Sequence, residues 1–290
     1  MLWAALALLG AVLDAAYYAL VKRYLPSLAG EALAAGTFLA GGAILLLVSL
    51  ARGIPPAGPA LYPSVIATGT LNIIAALLVF YALARSDLSL AMPIITFTLV
   101  FLLGTSYLLL GELPTAAGAA GILLIVAGSL VMQVPAMRGA RAPGGGQERD
   151  VRGILAMLVV AFLYSLSLPF DKAVVLSSDP VFGTSLVYLS IGLAFLALSL
   201  ARGTLAAAPR GTALRAFLIL GIVLTFEAVA INLAYTLQIV PLVIAVKRLS
   251  ILFAVLFGGL LFREGEMEYR IPGACIMIAG AVAIVLSAPP

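Results

Sequence analysis

The sequence has no histidine, a single cysteine and very little charge. Lys and Arg number 16 and Asp and Glu 12 in 290 residues, so charged residues are only 10% of the chain. The absence of His and the lone Cys275 exclude ordinary zinc, copper and haem sites, and one cysteine excludes an internal disulfide. No G-x-x-x-x-G-K-[ST] phosphate loop occurs, which excludes ATP hydrolysis by this chain. There is no G-x-S-x-G elbow and no pair of acids at ligand spacing, so an enzyme is the weakest of the function classes. No cofactor is expected. A pI near 9.3 raises nucleic-acid binding, but the net charge of +4 is spread over short loops with no basic stripe. That is the pattern of the positive-inside rule.

What the chain has in excess is apolar surface. Hydrophobic residues make up 64% of it and the mean hydropathy is +1.22. A soluble domain is about 45–50% apolar and about 25% charged, so a single soluble domain is excluded. A bilayer core about 30 Å thick needs about 20 apolar residues per spanning helix. The hydrophobic runs predict ten spans: Leu2 to Val21, Leu33 to Leu50, Tyr62 to Ala84, Leu88 to Leu110, Thr115 to Val134, Gly153 to Val175, Pro180 to Leu200, Leu214 to Gln238, Pro241 to Phe262, and Ile271 to Ser287. The expected class is an all-α integral membrane protein with no extramembrane domain. The first run lacks a positive n-region and is interrupted by Asp14, so it reads as an uncleaved span rather than a signal peptide.

One polar stretch breaks the pattern, MRGARAPGGGQERDVR at residues 137–152. Its Gly, Pro and charges make a flexible linker over 135–152. The flanking regions, 1–134 and 153–290, repeat one another. Ser49-Leu50-Ala51-Arg52-Gly53 recurs as Ser199-Leu200-Ala201-Arg202-Gly203, Lys22 as Lys172, Tyr81 and Leu83 as Tyr235 and Leu237, and Glu112, Gly121 and Gly128 as Glu264, Gly273 and Gly280. Five spans per half is an odd number, so the second half enters from the opposite side. Two inverted five-helix repeats are typical of secondary transporters, whose site lies at the interface of the halves near the midplane.

The loops after the odd-numbered spans carry twelve Lys and Arg: Lys22, Arg23, Arg85, Arg138, Arg141, Arg149, Arg152, Arg202, Arg210, Arg215, Arg263 and Arg270. Those after the even-numbered spans carry Arg52 and Lys172. This asymmetry puts both termini outside and the linker in the cytoplasm.

Leu110-Gly111-Glu112-Leu113, followed by Gly121-Ile122-Leu123-Leu124-Ile125-Val126-Ala127-Gly128, resembles the "GE…G…LI…G" pattern of the EamA-type ten-helix members of the drug/metabolite transporter superfamily. A second copy, Phe262-Arg263-Glu264 to Gly273 and Gly280, is similar but has Arg263 in place of the Gly. The resemblance covers nearly the whole chain. It implies alternating-access export or exchange of small metabolites in a cell inner membrane, driven by a gradient. It also implies cytoplasmic termini, opposite to the loop charges. The lipid bilayer and a small solute are the partners expected, and the chain acts as a monomer or homodimer.

Ionisable residues inside a span cost about 2.5–3.5 kcal/mol on insertion scales and are functional candidates by default. Four qualify: Asp14, Glu227, Lys247 and Arg248. Asp14 shares a helix face with Gly10, Tyr17 and Tyr18. It resembles in placement the first-helix acid of the related small multidrug transporters, and without His a proton relay must use carboxylates such as Asp14 and Glu227. The competing reading is an acid that only hydrogen-bonds a neighbouring helix. The eighth and ninth spans form an antiparallel hairpin that brings Arg248 toward Glu227 and puts Asn232 level with Lys247. Adjacent cations point about 100° apart, so Glu227 pairs with one and leaves the other for an anionic or zwitterionic solute. The alternatives are a purely internal ion pair and snorkelling of Lys247. Asn72, Tyr81, Tyr107, Tyr164, Asn232 and Tyr235 line a cavity or serve as interhelical glue. Pro93 and Pro169 predict kinks. Asp171 and Lys172 read as the interfacial end of the sixth span. Gly36, Gly41, Gly42, Gly121, Gly128, Gly258, Gly259, Gly273 and Gly280 read as close-packing positions. The leading function is a secondary transporter of a small polar metabolite; the alternative is a lipid-linked carrier or flippase whose cations hold a phosphate head group.

Overall fold

The computed structural model describes residues 1–83, 94–139, 151–205, 210–254 and 267–287. Ten α-helices run through them: α1 Leu2–Tyr24, α2 Gly30–Arg52, α3 Leu61–Leu83, α4 Thr98–Leu110, α5 Ala116–Gly139, α6 Val151–Leu176, α7 Pro180–Ala201, α8 Arg210–Leu237, α9 Val240–Lys247 and α10 Met267–Ser287. A 3-10 turn, Ile95–Phe97, leads into α4. No strand occurs among the described residues. Seven of these helices are long and apolar enough to cross a membrane, and two more, Ile95–Leu110 and Ile271–Ser287, are apolar but shorter.

The local signals that end the helices are chemical. Asp179 caps α7 with its carboxylate, which accepts from the Val181 N–H at 3.0 Å and the Phe182 N–H at 2.5 Å. Pro180 follows at the first helical position, where its missing N–H costs nothing. The repeated Leu-Ala-Arg-Gly segment ends α2 and α7 in the same way. Gly53 and Gly203 stand just past the two helices with φ of +90° and +68°, a region that residues with a Cβ rarely enter.

Two spans differ from the sequence expectation. The ninth was read as one helix from Pro241 to Phe262. It is interrupted: α9 ends at Lys247, Arg248 and Leu249 form a turn, and residues 250–254 are helical again. Arg248 N donates both to Ile244 O at 3.0 Å and to Ala245 O at 3.2 Å; the bonds then tighten to i−3, Leu249 N to Val246 O at 3.0 Å, Ile251 N to Arg248 O at 3.2 Å and Leu252 N to Leu249 O at 2.9 Å, before Phe253 N returns to i−4 with Leu249 O at 3.3 Å. Hydropathy reports burial rather than bonding pattern, so it carries no sign of this 3-10 step. The fourth span likewise starts, over its described part, with a 3-10 turn rather than regular helix. At the offset of 152 that relates Glu112 to Glu264, Ile95–Phe97 correspond to Lys247–Leu249, so the two halves are tightened at matching places. Pro169 sits inside α6, which continues through it.

Residues 135–139 and 151–152 of the expected linker extend α5 and α6. Residues 140–150, Pro93, Gly258-Gly259 and the Phe262-Arg263-Glu264 copy lie outside the described residues.

The chain forms two compact units, each drawn from both halves of the sequence. The first holds Leu2–Ile73 and Phe170–Leu237; the second holds Ile74–Pro169 and Gln238–Pro290, together with Met1. In the first unit α2 packs along α7, and both α1 and α2 pack on α8. A core of Leu28, Leu33, Ala213, Ala216 and Leu220, with Tyr17, Leu20, Val21, Tyr24 and Phe217 against it, holds α1 and α2 on α8. A Cβ added at Gly42 would sit 2.9 Å from Leu189 Cγ, and one at Gly192 would sit 2.9 Å from Leu39 Cγ. The rising number on one helix meets the falling number on the other, so α2 and α7 are antiparallel.

In the second unit α5 packs along α10, with α9 against α4, α5 and α10. Here glycine meets glycine. A Cβ at Gly121 would lie 2.7 Å from Gly280 O, and one at Gly128 would lie 2.7 Å from Gly273 O. These helices are also antiparallel, with backbones in direct contact. The glycines read from the sequence as packing positions do that work here. A smaller cluster, Ala82, Ala156 and Met157 with Val79, Ile94 and Ile95, joins the end of α3 to α6.

Candidate functional site

The first unit collects the buried acids. Gly10 brings α1 onto α8: a Cβ there would lie 2.5 Å from Ile231 Cδ1 and 4.0 Å from the Glu227 carbonyl oxygen. The later residues of α1, Tyr17 and Leu20 onward, pack on the earlier residues of α8, Ala213 to Leu220. The two helices are therefore antiparallel, and Asp14, one turn past Gly10, comes level with the turn that carries Glu227. Glu227 is buried, at 5% exposure, and Asp14 is half-buried. Both carboxylates lie within electrostatic reach of Tyr17. Tyr18 packs edge-on against Tyr17 with ring centroids 5.5 Å apart, but its own side chain is exposed.

Sequence reasoning missed two members of this group. Tyr188 on α7 is within electrostatic reach of Glu227, Asp171, Tyr17 and Asp14. Its hydroxyl points at Leu224 O, 3.4 Å away, and its ring packs edge-on against Phe38 at 5.2 Å. Nothing in an apolar run marks one tyrosine above another. The second is Asp171, with its neighbour Lys172. They were expected at the interfacial end of their span. They lie in the last two turns of α6, and Lys172 is buried at 8% exposure. Four more residues of helix follow, which holds the pair short of the helix end. The recurrence of Lys22 as Lys172 was the signal that could have drawn attention to it.

Asp171 is tied to α3. Thr68 Oγ1 donates to Asp171 Oδ1 at 2.5 Å. Asn72 Nδ2 in turn donates to Thr68 O at 2.8 Å and to Thr68 Oγ1 at 3.1 Å. On α8, Asn232 Nδ2 donates to Thr184 Oγ1 of α7 at 2.5 Å, and Tyr235 is buried. The first unit thus gathers Asp14, Tyr17, Tyr18, Asn72, Glu227, Asn232 and Tyr235 from the sequence-derived set, and adds Thr68, Asp171, Lys172, Thr184 and Tyr188.

The second unit holds the cations. Lys247 is the last residue of α9 and Arg248 its C-cap, and both are half-buried. All of α9 before them, Val240 to Val246, is buried. The two cations therefore stand where a short apolar helix gives way to the 3-10 step. The corresponding step in the first half carries Thr96 and Thr98, both buried, and Thr98 Oγ1 has no hydrogen-bond partner among the described residues. Tyr81, on α3, falls in this unit and is exposed; Tyr107 is exposed and Tyr164 half-buried.

Residues 1–134 match the EamA-like transporter family. No curated protein sequence matches the chain. Among solved structures, one described only as "Crystal structure of protein" superposes with a TM-score of 0.81 over 98% of this chain and 99% of its own, at 21% identity. At that identity the likeness concerns the fold alone. The resemblance to EamA-type members of the drug/metabolite transporter superfamily is thus borne out over residues 1–134. With seven apolar helices, the chain is a multi-pass membrane protein, and its residues 1–134 match a family of membrane transporters.

Proposed function

We propose that the protein is a secondary active transporter that exports a small anionic or zwitterionic metabolite across a cell inner membrane by alternating access, with a proton or solute gradient as the driving force. The observation that carries this reading is the interrupted ninth span. Transporters bind solutes where membrane helices are discontinuous, because only there do backbone and side-chain polar groups face a cavity at membrane depth. This span breaks at its two cations, Lys247 and Arg248. An ammonium or guanidinium inside a span is costly and is retained where it meets something; a solute carboxylate or phosphate is the complement. Asp14 and Glu227, level with each other on α1 and α8, are the proton-coupling groups.

The architecture proposed is two inverted five-helix repeats. Two antiparallel crossings support it. Gly121 corresponds to Gly273 and Gly128 to Gly280 in the repeat, and the contacts are Gly121 with Gly280 and Gly128 with Gly273. Exchanging the two copies turns one contact into the other. The Gly42–Leu189 and Gly192–Leu39 contacts behave the same way at the offset of 150. Antiparallel helices exchanged by a two-fold imply an axis across them, in the membrane plane, which is the symmetry of inverted repeats. Both termini are placed outside by the loop charges.

The test is uptake into proteoliposomes of a panel of inorganic phosphate, a dicarboxylate, an amino acid and an organic cation, with and without a pH gradient. Anionic or zwitterionic solutes are carried, and Lys247→Gln weakens their binding about tenfold, or about 1.4 kcal/mol. Transport of the organic cation alone, or parental behaviour of both Lys247→Gln and Arg248→Gln, refutes the anionic site. Transfer of a phospholipid-linked head group between leaflets in place of solute uptake would assign the cations to a lipid carrier.

A further inference from the structure

Glu112 lies between α4 and α5, in the most family-like stretch of the sequence, and the function proposed above gives it no task. Its surroundings do. Gly111 ends α4 with a φ of +70°, a left-handed turn that carries the chain back so that Glu112 N donates to Ser106 O at 3.3 Å. The Glu112 carboxylate then accepts twice through Oε2: from Ser106 Oγ at 3.0 Å and from the backbone N–H of Val240 at 2.8 Å.

Val240 is the first residue of α9. The first N–H groups of a helix have no acceptor within it. The N-cap here is Ile239, which makes no side-chain cap, while Gln238 Oε1 takes the Ile239 N–H at 2.9 Å. The missing cap is supplied by a carboxylate 128 residues away in the sequence. An anion at a helix N-terminus is also favoured by the helix dipole. The helix so anchored is eight residues long and buried from Val240 to Val246, and it ends at the cations. Lys247 is seven residues beyond Val240, which is about 10 Å along the axis and within about 20° of the same face. A bond that fixes the depth and rotation of α9 at Val240 therefore fixes both for Lys247.

We propose that Glu112 is the positioning residue of the cationic pair: its carboxylate anchors the first turn of α9 and so sets where Lys247 and Arg248 stand. The proposal rests on the reading of those cations as the solute-binding groups. The chain contains three lysines, Lys22, Lys172 and Lys247, so the rate at which a small amine-acylating reagent modifies each can be read peptide by peptide by mass spectrometry on the full-length protein in nanodiscs. Lys22 and Lys172 belong to the other compact unit and serve as internal references. Glu112→Ala shifts the Lys247 rate several-fold and leaves the two references unchanged. Glu112→Gln, which keeps an acceptor oxygen for Val240, restores the parental rate. Glu112→Asp, one methylene too short to reach, repeats the alanine result and is the variant to use if Glu112→Ala does not fold. An unchanged Lys247 rate in both the alanine and aspartate variants overturns the proposal, as does a shift shared equally by all three lysines. The labelling uses no solute, so this failure is distinct from failure of the anion-binding reading, which shows only in phosphate or dicarboxylate uptake by Lys247→Gln.

Discussion

Gly128→Ala should weaken the α5–α10 crossing by about 1–3 kcal/mol, the usual range for overpacking. The reasoning starts from one distance. A Cβ on Gly128 would lie 2.7 Å from Gly273 O, 2.7 Å from Met277 Cγ and 2.8 Å from Met277 N. Two of those three atoms are backbone, so no rotamer change relieves them. Ordinary contact begins near 3.4 Å, and the helices must separate by about 0.7 Å. A gap of about 0.5–1 Å forfeits a quarter to a half of the dispersion energy of each contact it opens, and it opens them all along the crossing, including the Gly121–Gly280 contact two turns away. In a bilayer no hydrophobic effect between helices offsets that loss. The assay is reversible unfolding in mixed micelles titrated with SDS. Gly104→Ala and Gly211→Ala are the controls, since an added methyl at either meets no atom within 4 Å. Both should be neutral or slightly stabilising through helix propensity. The double variant Gly128→Ala/Gly273→Ala should cost less than the two single effects together, because the first substitution already parts the helices that the second would push on. A Gly128→Ala variant within about 0.5 kcal/mol of the Gly104→Ala control, the ordinary spread of a surface change, would refute the crossing as described.

Four further outcomes follow from the same geometry. Asp14→Asn should abolish pH-gradient-driven uptake while leaving the SDS unfolding midpoint near the parent's; proton-coupled uptake at the parental rate removes Asp14 from the mechanism. Asn232→Ala, which deletes the 2.5 Å bond to Thr184, should cost about 0.6 kcal/mol, the average of interhelical hydrogen bonds in a membrane protein, and at most about 1.7; a loss beyond that range assigns Asn232 more than this one partner. Asp171→Asn should impair coupling together with Asp14→Asn if the acids of the first unit act as a group, and uptake assayed with and without a pH gradient separates that from a plain loss of folding. A reporter fused after Pro290 should be active on the outer face, and activity in the cytoplasm overturns the orientation read from the loop charges.

Much of this molecule is legible in the sequence because the bilayer imposes a simple rule. Apolar length predicts spans, and the ends of α1, α2, α3, α5, α6, α7, α8 and α10 fall within about five residues of the hydropathy reading, the scale on which boundaries are read least well. The repeat anchors were informative too, since the paired glycines meet in the α5–α10 crossing. What hydropathy could not carry was anything decided by hydrogen bonds. Val246-Lys247-Arg248-Leu249-Ser250 contains no Gly or Pro, so the 3-10 step there has no composition signal. Asp171 gained its role from Thr68, 103 residues away, and Tyr188 from acids on three other helices.

The repeat and the packing also answer different questions. Matching residues at offsets of 150 to 154 relate the sequences of 1–134 and 153–290. Compactness depends on which apolar faces close on each other, and here each unit takes segments from both halves. Glu112 brings the two together. It lies in the motif that carried the family resemblance, yet its hydrogen-bond partner could not be read from the motif, because a motif names the acceptor and not the donor. The donor is a backbone N–H in the other half of the chain, on a helix whose own N-cap is an isoleucine. A glutamate at that point is needed only once the second copy has folded against the first. On this argument the acid of the repeated pattern serves the packing of the second copy's α9, and its effect reaches Lys247 through the helix that it anchors.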